Sequence, residues 1–155
     1  MFGFFKKNRP PLVSAYDSIH STIKDAYAHD TNVNPVEIGL FALSIVVTVR
    51  ILLSKANERD YVFKSCNQLE DYVVGDLSRY APRPRVASTY KAIFPVYRDL
   101  IVNFVKAPSE DTGLDIVECV DRNALSASPP FPSMIKSATI SLVISSMVSA
   151  FKGSN

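Results

Sequence analysis

The sequence predicts an all-α protein, a single compact bundle of five to six helices. Two observations support this prediction: apolar residues recur at spacings of three and four along most of the chain, and two proline-rich stretches separate those segments. The chain has 155 residues, of which 47% are hydrophobic and 21% charged, a composition typical of one folded domain. We therefore expect an N-terminal tail at 1–10 and one helical domain at 11–155.

The first two predicted helices are separated by a polar cluster at 29–32. Apolar residues at 12–27 follow one helical face, which predicts the first helix. Asn34 before Pro35 is typical of a helix start, because an asparagine side chain can accept hydrogen bonds from free backbone amides. The segment 36–55 that follows is apolar around nearly its whole circumference, which predicts a helix buried in protein or in lipid.

The middle of the chain predicts two more helices around a linker. An amphipathic helix at 60–80 is free to continue from the previous one, since 56–59 contains neither Gly nor Pro. The prolines within 81–85 predict a linker, because proline lacks the amide donor of a helix interior. The next helix, at 88–106, contains Pro95, where we expect a kink rather than a new helix start.

The last third of the chain predicts a short helix, a second linker and a long apolar helix. The segment 112–125 fits a helix, which its length and acidic first turn favour, or a small β element at 114–120. The prolines within 126–132 predict the second linker. The final helix is predicted at 133–151.

Serines recur at every fourth position of this final helix. They are Ser133, Ser137, Ser141, Ser145 and Ser149. Two interpretations stay open: the serines form the solvent face of an amphipathic helix, or they form a ridge of small residues at a close helix contact. For the second interpretation, Gly39 and Ala42 of the second helix are the candidate packing partners.

The clearest uneven charge is a basic stretch with interleaved tyrosines. We take its members as candidate partner-binding residues: Arg79, Tyr80, Arg83, Arg85, Tyr90, Lys91, Tyr97 and Arg98. Guanidinium and phenol groups together suit recognition of phosphate, nucleic acid or acidic protein. The alternative is a solvated surface balanced by the acidic segment 110–121. Because the net charge is only +2, we expect a protein partner rather than nucleic acid.

The N-terminal tail combines phenylalanines with basic residues. Phe2, Phe4 and Phe5 precede Lys6 and Lys7, which suits either shallow membrane insertion or docking into a groove of this fold or of a neighbour. This order is the reverse of a secretory signal, so we expect no cleavable export signal. We expect a cytoplasmic protein or one at the cytoplasmic face of a membrane.

Residues suited to catalysis or metal binding are sparse. The two histidines are His20 and His29, with Asp17 one turn before His20, and the five glycines form no phosphate-binding loop. Cys66 and Cys119 lie too far apart for a metal motif, and we expect reduced, buried thiols. We therefore expect no enzyme, no metal site and no cofactor.

These observations predict a non-enzymatic macromolecule-binding protein that acts through the basic and tyrosine-rich surface. An adaptor, an immunity-type protein and an accessory subunit of an assembly all fit. The alternative is a membrane-embedded or membrane-bound subunit that uses the helices at 36–55 and 134–151. Their most apolar parts, 38–53 and 138–151, are shorter than the roughly 20 residues that a membrane span needs, which favours buried helices of a soluble bundle.

Overall fold

The computed structural model of the protein describes residues 10–127, 129 and 133–153. Over these residues the protein is an all-α bundle of six α-helices, as the sequence predicts. The helices are α1 (Pro11–Ala26), α2 (Pro35–Leu52), α3 (Arg59–Leu77), α4 (Arg83–Lys106), α5 (Glu110–Ala124) and α6 (Met134–Gly153). The region 114–120 lies within α5, so the alternative of a small β element there is wrong. Most of the linker predicted at 126–132 falls outside the described residues.

Helix α2 forms the centre of the bundle and contacts all five other helices. Every residue from Ile38 to Val49 is buried. The Ser44 hydroxyl donates a hydrogen bond of 2.7 Å to the carbonyl oxygen of Leu40, one turn earlier, so this polar side chain is satisfied away from water. The nearly uniform apolar circumference read from the sequence therefore corresponds to a helix enclosed by protein on all sides.

The start of α2 is fixed by the cap that the sequence predicts. The Asn34 side-chain oxygen accepts hydrogen bonds from the backbone amides of Val36 at 3.0 Å and Glu37 at 3.4 Å. The backbone amide of Asn34 donates a hydrogen bond of 2.8 Å to the carbonyl oxygen of Ala124, which joins the start of α2 to the end of α5. Asn32, in the preceding loop, has a φ of 55°, a left-handed conformation that asparagine adopts more readily than most residues.

Helices α2 and α3 are separate, although no Gly or Pro divides them. A 3-10 turn, Ala56–Glu58, lies between them. The Glu58 carboxylate accepts a hydrogen bond from the Lys55 amide at 2.8 Å and forms an ion pair with Arg50 at 3.7 Å. These contacts stabilise the turn, so the continuation that the sequence allows does not occur.

Helix α4 begins earlier than predicted and passes through Pro95 as one helix. Its first residues, Arg83 and Pro84, belong to the segment that was expected to be a linker. Proline is tolerated in the first turn, since the amide that it lacks would have had no helical partner there. The linker between α3 and α4 is consequently short, and Tyr80 lies within it, at the junction of the two helices.

The serine ridge of α6 packs against α5 rather than α2. A Cβ atom added at Gly113 of α5 would lie 2.7 Å from the Ser137 hydroxyl and 3.0 Å from the Ser141 hydroxyl. Gly39 instead faces Leu77 of α3, and Ala42 is buried in the core, so the expected pairing of Gly39 with the serines is wrong. Of the other ridge members, Ser145 and Ser149 are exposed to solvent, and Ser133 is half-buried, with its hydroxyl accepting a hydrogen bond from the Lys136 amide at 3.2 Å.

Candidate functional site

The residues of the basic and tyrosine-rich stretch divide into core and surface. Tyr97 is fully buried, with its ring centroid 5.0 Å from that of Phe41, and its hydroxyl accepts a hydrogen bond from the Asn123 amide group at 3.1 Å. Tyr90 is 8% exposed, and burial, followed by the charge of nearby Glu70, raises its pKa. Both tyrosines therefore belong to the core, and the prediction that placed them on a binding surface is corrected.

The cations of α4 do not share one face. At about 100° per residue, Lys91 and Arg98 lie within about 20° of each other, but about 120° to 140° around the axis from Arg85. Arg98 forms an ion pair with neighbouring Asp99 at 3.2 Å, and its guanidinium lies 6.0 Å from the ring centroid of Phe94. The expected continuous surface is thus split into a side strip (Lys91 and Arg98) and a corner at the junction of α3 and α4.

This corner, which we call the Tyr80 corner, consists of four neighbours along the chain, Arg79, Tyr80, Arg83 and Arg85. Arg83 and Arg85 lie about 160° apart around α4, and the Arg83 guanidinium approaches the Cβ position of Gly75 at 3.3 Å. Tyr80 is 49% exposed, and the guanidinium of Arg79 lies 4.9 Å from its ring centroid. Arg79 also forms an ion pair with Asp76 at 3.7 Å. An exposed cation–π contact of this kind contributes about 0.5–1 kcal/mol, which favours the observed position of the ring.

The charges of Arg83 and Arg85 are not balanced by acidic groups. In the described part of the chain neither side chain forms an ion pair, and both are exposed. No ion pair among the described residues joins the corner to the acidic segment of α5 either. Asp121, one acid of that segment, instead points inward and lies 3.7 Å from Lys136. The interpretation that α5 neutralises the basic stretch is therefore not supported.

Two hollows lie on either side of Tyr80. The smaller has a volume of about 190 Å³ and is lined by His20, Lys24, Tyr27, Val33, Pro35, Ile38 and Tyr80. The larger has a volume of about 420 Å³ and is lined by Asn34, Pro35, Val36, Glu37, Tyr80, Ala81, Arg85, Val86 and Thr89. Pro35 and Tyr80 line both hollows, so the hollows are adjacent parts of one surface across the start of α2.

Two ionisable groups of these hollows, His20 and Glu37, are partly shielded from water. Burial, and then the charge of Lys24, lower the pKa of His20, whose ring stacks on Tyr16 at a centroid distance of 5.1 Å. Burial raises the pKa of Glu37. The hollow beside His20 is accordingly an apolar and aromatic cavity with an uncharged imidazole at neutral pH and an exposed lysine at its rim.

The candidate catalytic and thiol groups are placed in the core or at its edge. Asp17 accepts a hydrogen bond of 3.4 Å from the Tyr72 hydroxyl. Cys66 and Cys119 are both free and buried, as expected, and burial raises the pKa of Cys66 to about 11. Within the described ranges, no three His, Cys, Asp or Glu side chains converge into a set that could hold a metal ion.

Helix α6 presents an unusual exposed face. Met134, Ile135 and Leu142 are 53%, 79% and 66% exposed. At helical spacing Ala138, Ser145 and Ser149 share this face, so it carries no charged side chain before Lys152. Two helical segments are long and apolar enough to cross a membrane: Pro35–Leu52 and Met134–Lys152. Both are longer than the apolar runs 38–53 and 138–151 that the sequence indicated. In the bundle, 67% of the first segment and 33% of the second are buried.

Some residues of this region could not be selected from the sequence. His20 and Lys24 are one turn apart on α1, which places them on one face, but the sequence does not show that α2 and the Tyr80 corner meet that face. The tail residues Phe2, Phe4, Phe5, Lys6 and Lys7 lie outside the described residues.

No protein-family model, curated protein or solved structure matches this chain, so the geometry of the Tyr80 corner and its hollows carries the functional argument.

Proposed function

We propose that this protein is a non-enzymatic protein-binding module, an adaptor or accessory subunit, that contacts its partner through the Tyr80 corner. The observation that carries this proposal is the half-exposed ring of Tyr80, which contacts Arg79 and lines two hollows, together with the exposed cations Arg83 and Arg85, which form no ion pair among the described residues. Tyrosine and arginine side chains dominate the binding energy of protein interfaces, especially where a preformed hollow lies beside them.

A protein partner fits this corner better than nucleic acid does. Arg79 is already paired with Asp76, and the hollows contain the apolar side chains of Val33, Pro35 and Ile38. Nucleic-acid sites need a longer track of cations for successive phosphates, whereas here the side strip of α4 points away from the corner. The chemistry therefore favours a compact contact with both apolar and charged parts.

The proposal is tested by affinity purification of the tagged protein, with quantitative comparison of the proteins that it retains. The double variant R83E/R85E reverses two exposed charges of the corner, and we expect it to reduce retention of specific partners at least tenfold. The matched control K91E/R98E reverses two charges of the side strip and should leave retention unchanged. Equal retention by both variants, with circular dichroism showing intact helices, would contradict the proposal.

A second candidate function, membrane association, is favoured by the uncharged exposed face of α6. Ile135 and Leu142 together expose a large apolar area that has no cover in the described part of the chain. Flotation with phospholipid vesicles tests it: L142E should release the protein from the vesicles, whereas Q68E, on an exposed position of α3, should not. Wild-type protein that stays at the bottom of the gradient excludes this function.

A further inference from the structure

The two hollows beside Tyr80 form one groove across the N-terminal end of α2. Pro35 and Tyr80 line both hollows and so form the low ridge between them. The groove runs from His20 and Lys24 on α1 to Arg85 and Thr89 on α4. A ligand that fills both hollows must be extended and must pass over the ring of Tyr80.

The smaller hollow has the size of a site for one side chain rather than for a whole metabolite. Small-molecule sites usually enclose about 300–1,000 Å³; the larger hollow, at about 420 Å³, lies within this range, whereas the smaller, at about 190 Å³, lies below it. Such a volume suits a single large side chain of a partner. Its lining of Tyr27, Val33, Pro35 and Ile38 is apolar or aromatic, which selects an apolar or aromatic side chain.

The charges around the groove favour an acidic peptide. Lys24 lies at one end and Arg85 at the other. Acidic groups oppose this preference at two points: Glu37 lines the larger hollow, where burial raises its pKa, and the charges of Asp76 and Asp17 act on His20 in the smaller one. Arg85 can bind a carboxylate through two parallel hydrogen bonds, whereas Lys24 acts as a mobile point charge at the rim.

The N-terminus of α2 is not itself the recognition element. Its free amides at Val36 and Glu37 already donate to the Asn34 side chain, and Pro35 has no amide to offer. Anion recognition therefore falls to the side chains of Lys24 and Arg85, which line different hollows.

We infer that the groove binds an extended acidic segment of a protein partner, with one apolar or aromatic side chain in the smaller hollow and flanking carboxylates at Lys24 and Arg85. This inference rests on the proposed protein-binding function and specifies the chemistry of the partner. Tyr80 packs against the peptide backbone at the ridge between the hollows.

The test uses isotopically labelled full-length protein and defined probes, followed by NMR titration. The first probe is a short peptide of Asp and Glu around one central Phe; the second replaces Phe with Ala; the third replaces the acids with Lys; the fourth is an oligothymidine of similar length. We expect the first peptide to shift the amide signals of Lys24, Val33 and Tyr80, and the other three to bind at least tenfold more weakly.

Variants then locate the binding. K24E and R85E should each weaken the first peptide at least fivefold, whereas K106E, an exposed charge at the far end of α4, should not change its affinity. No saturable shift with the first peptide, equal binding of the lysine peptide, or tighter binding of the oligothymidine would overturn the inference. If partner retention in the affinity purification still depends on Arg83 and Arg85 while the acidic peptide fails, the inference falls and the proposed function stands.

Discussion

The ammonium group of Lys136, on α6, lies 2.9 Å from the carboxylate of Asp30, in the loop after α1. The same ammonium group lies 3.7 Å from Asp121 of α5 and 4.1 Å from the ring centroid of Tyr27, whose hydroxyl donates to Asp121 at 2.7 Å. Lys136 is 7% and Asp121 2% exposed. One buried cation therefore joins three elements of the bundle.

Removal of this cation should destabilise the fold strongly. K136M keeps the length of the side chain but leaves the buried carboxylate of Asp121 without a counter-charge. We expect the free energy of unfolding to fall by about 3–5 kcal/mol, the usual cost of breaking a buried pair from one side. Urea denaturation measures the change, and K152M, at an exposed position of the same helix, should stay within about 0.5 kcal/mol of wild type. A similar stability for both variants would contradict the role of Lys136.

The close packing of Gly113 on Ser137 and Ser141 predicts that substitutions at these positions have non-additive effects on the free energy of unfolding. Gly75, in α3, provides the reference. G75A should stabilise the protein by about 0.5–1 kcal/mol through helix propensity, because the nearest atom to the new methyl group belongs to the flexible side chain of Arg83, at 3.3 Å. G113A should lose that gain, because its methyl group meets Ser137 and Ser141. Adding S137A should recover part of it, which a double-mutant cycle by chemical denaturation measures. Purely additive effects would show that the contact is not tight.

The pH dependence of stability should include a contribution from His20. Its pKa is lowered in the folded protein by burial and by Lys24, so the unfolded chain binds the proton first as pH falls. Stability is therefore lost as pH decreases through about 6.5, the ordinary pKa of histidine. We expect H20Q to reduce the loss of stability between about pH 7.5 and 5.5, whereas H29Q, at an exposed position, should not. Urea denaturation of the wild type and both variants at the two pH values measures the change in the free energy of unfolding.

The two kinds of tyrosine in the basic stretch should respond differently to truncation. Y97A removes a fully buried ring, and we expect a loss of about 3–5 kcal/mol, as for other large aromatic truncations in cores. Y80A removes a half-exposed ring and should cost less than about 1 kcal/mol, while it weakens partner retention. Thermal or urea unfolding measures the first effect, and the affinity purification measures the second. A large loss of stability for Y80A would mean that Tyr80 is structural.

The helices were predictable where the signal is local. Asn34 and Pro35 are sufficient to mark the start of α2, and the cap forms as expected. The burial of Tyr90 and Tyr97 was also present in the sequence, since they share a helical face with Ile93 and Phe104, but their alternation with cations suggested a surface. For these two tyrosines, the helical spacing of apolar residues indicates burial more reliably than the neighbouring cations indicate exposure.

The contacts that depend on packing were not predictable in this way. Serine spacing predicts a ridge, but the identity of its partner, Gly113 rather than Gly39, depends on how α5 and α6 pack. The break before α3 depends on Glu58, which contacts both Lys55 and Arg50. The hollows at Tyr80 combine side chains from 20 to 89 along the chain, so only the assembled bundle reveals them.

The central position of α2 has a consequence for how this chain folds. Because α2 contacts each of the other five helices, no subset of helices that lacks it retains an intact core. No half of the bundle can therefore form its native contacts independently of the other half. We expect the protein to unfold in a single cooperative transition. A polypeptide severed within α2 should yield two fragments that regain helical structure only when they are mixed.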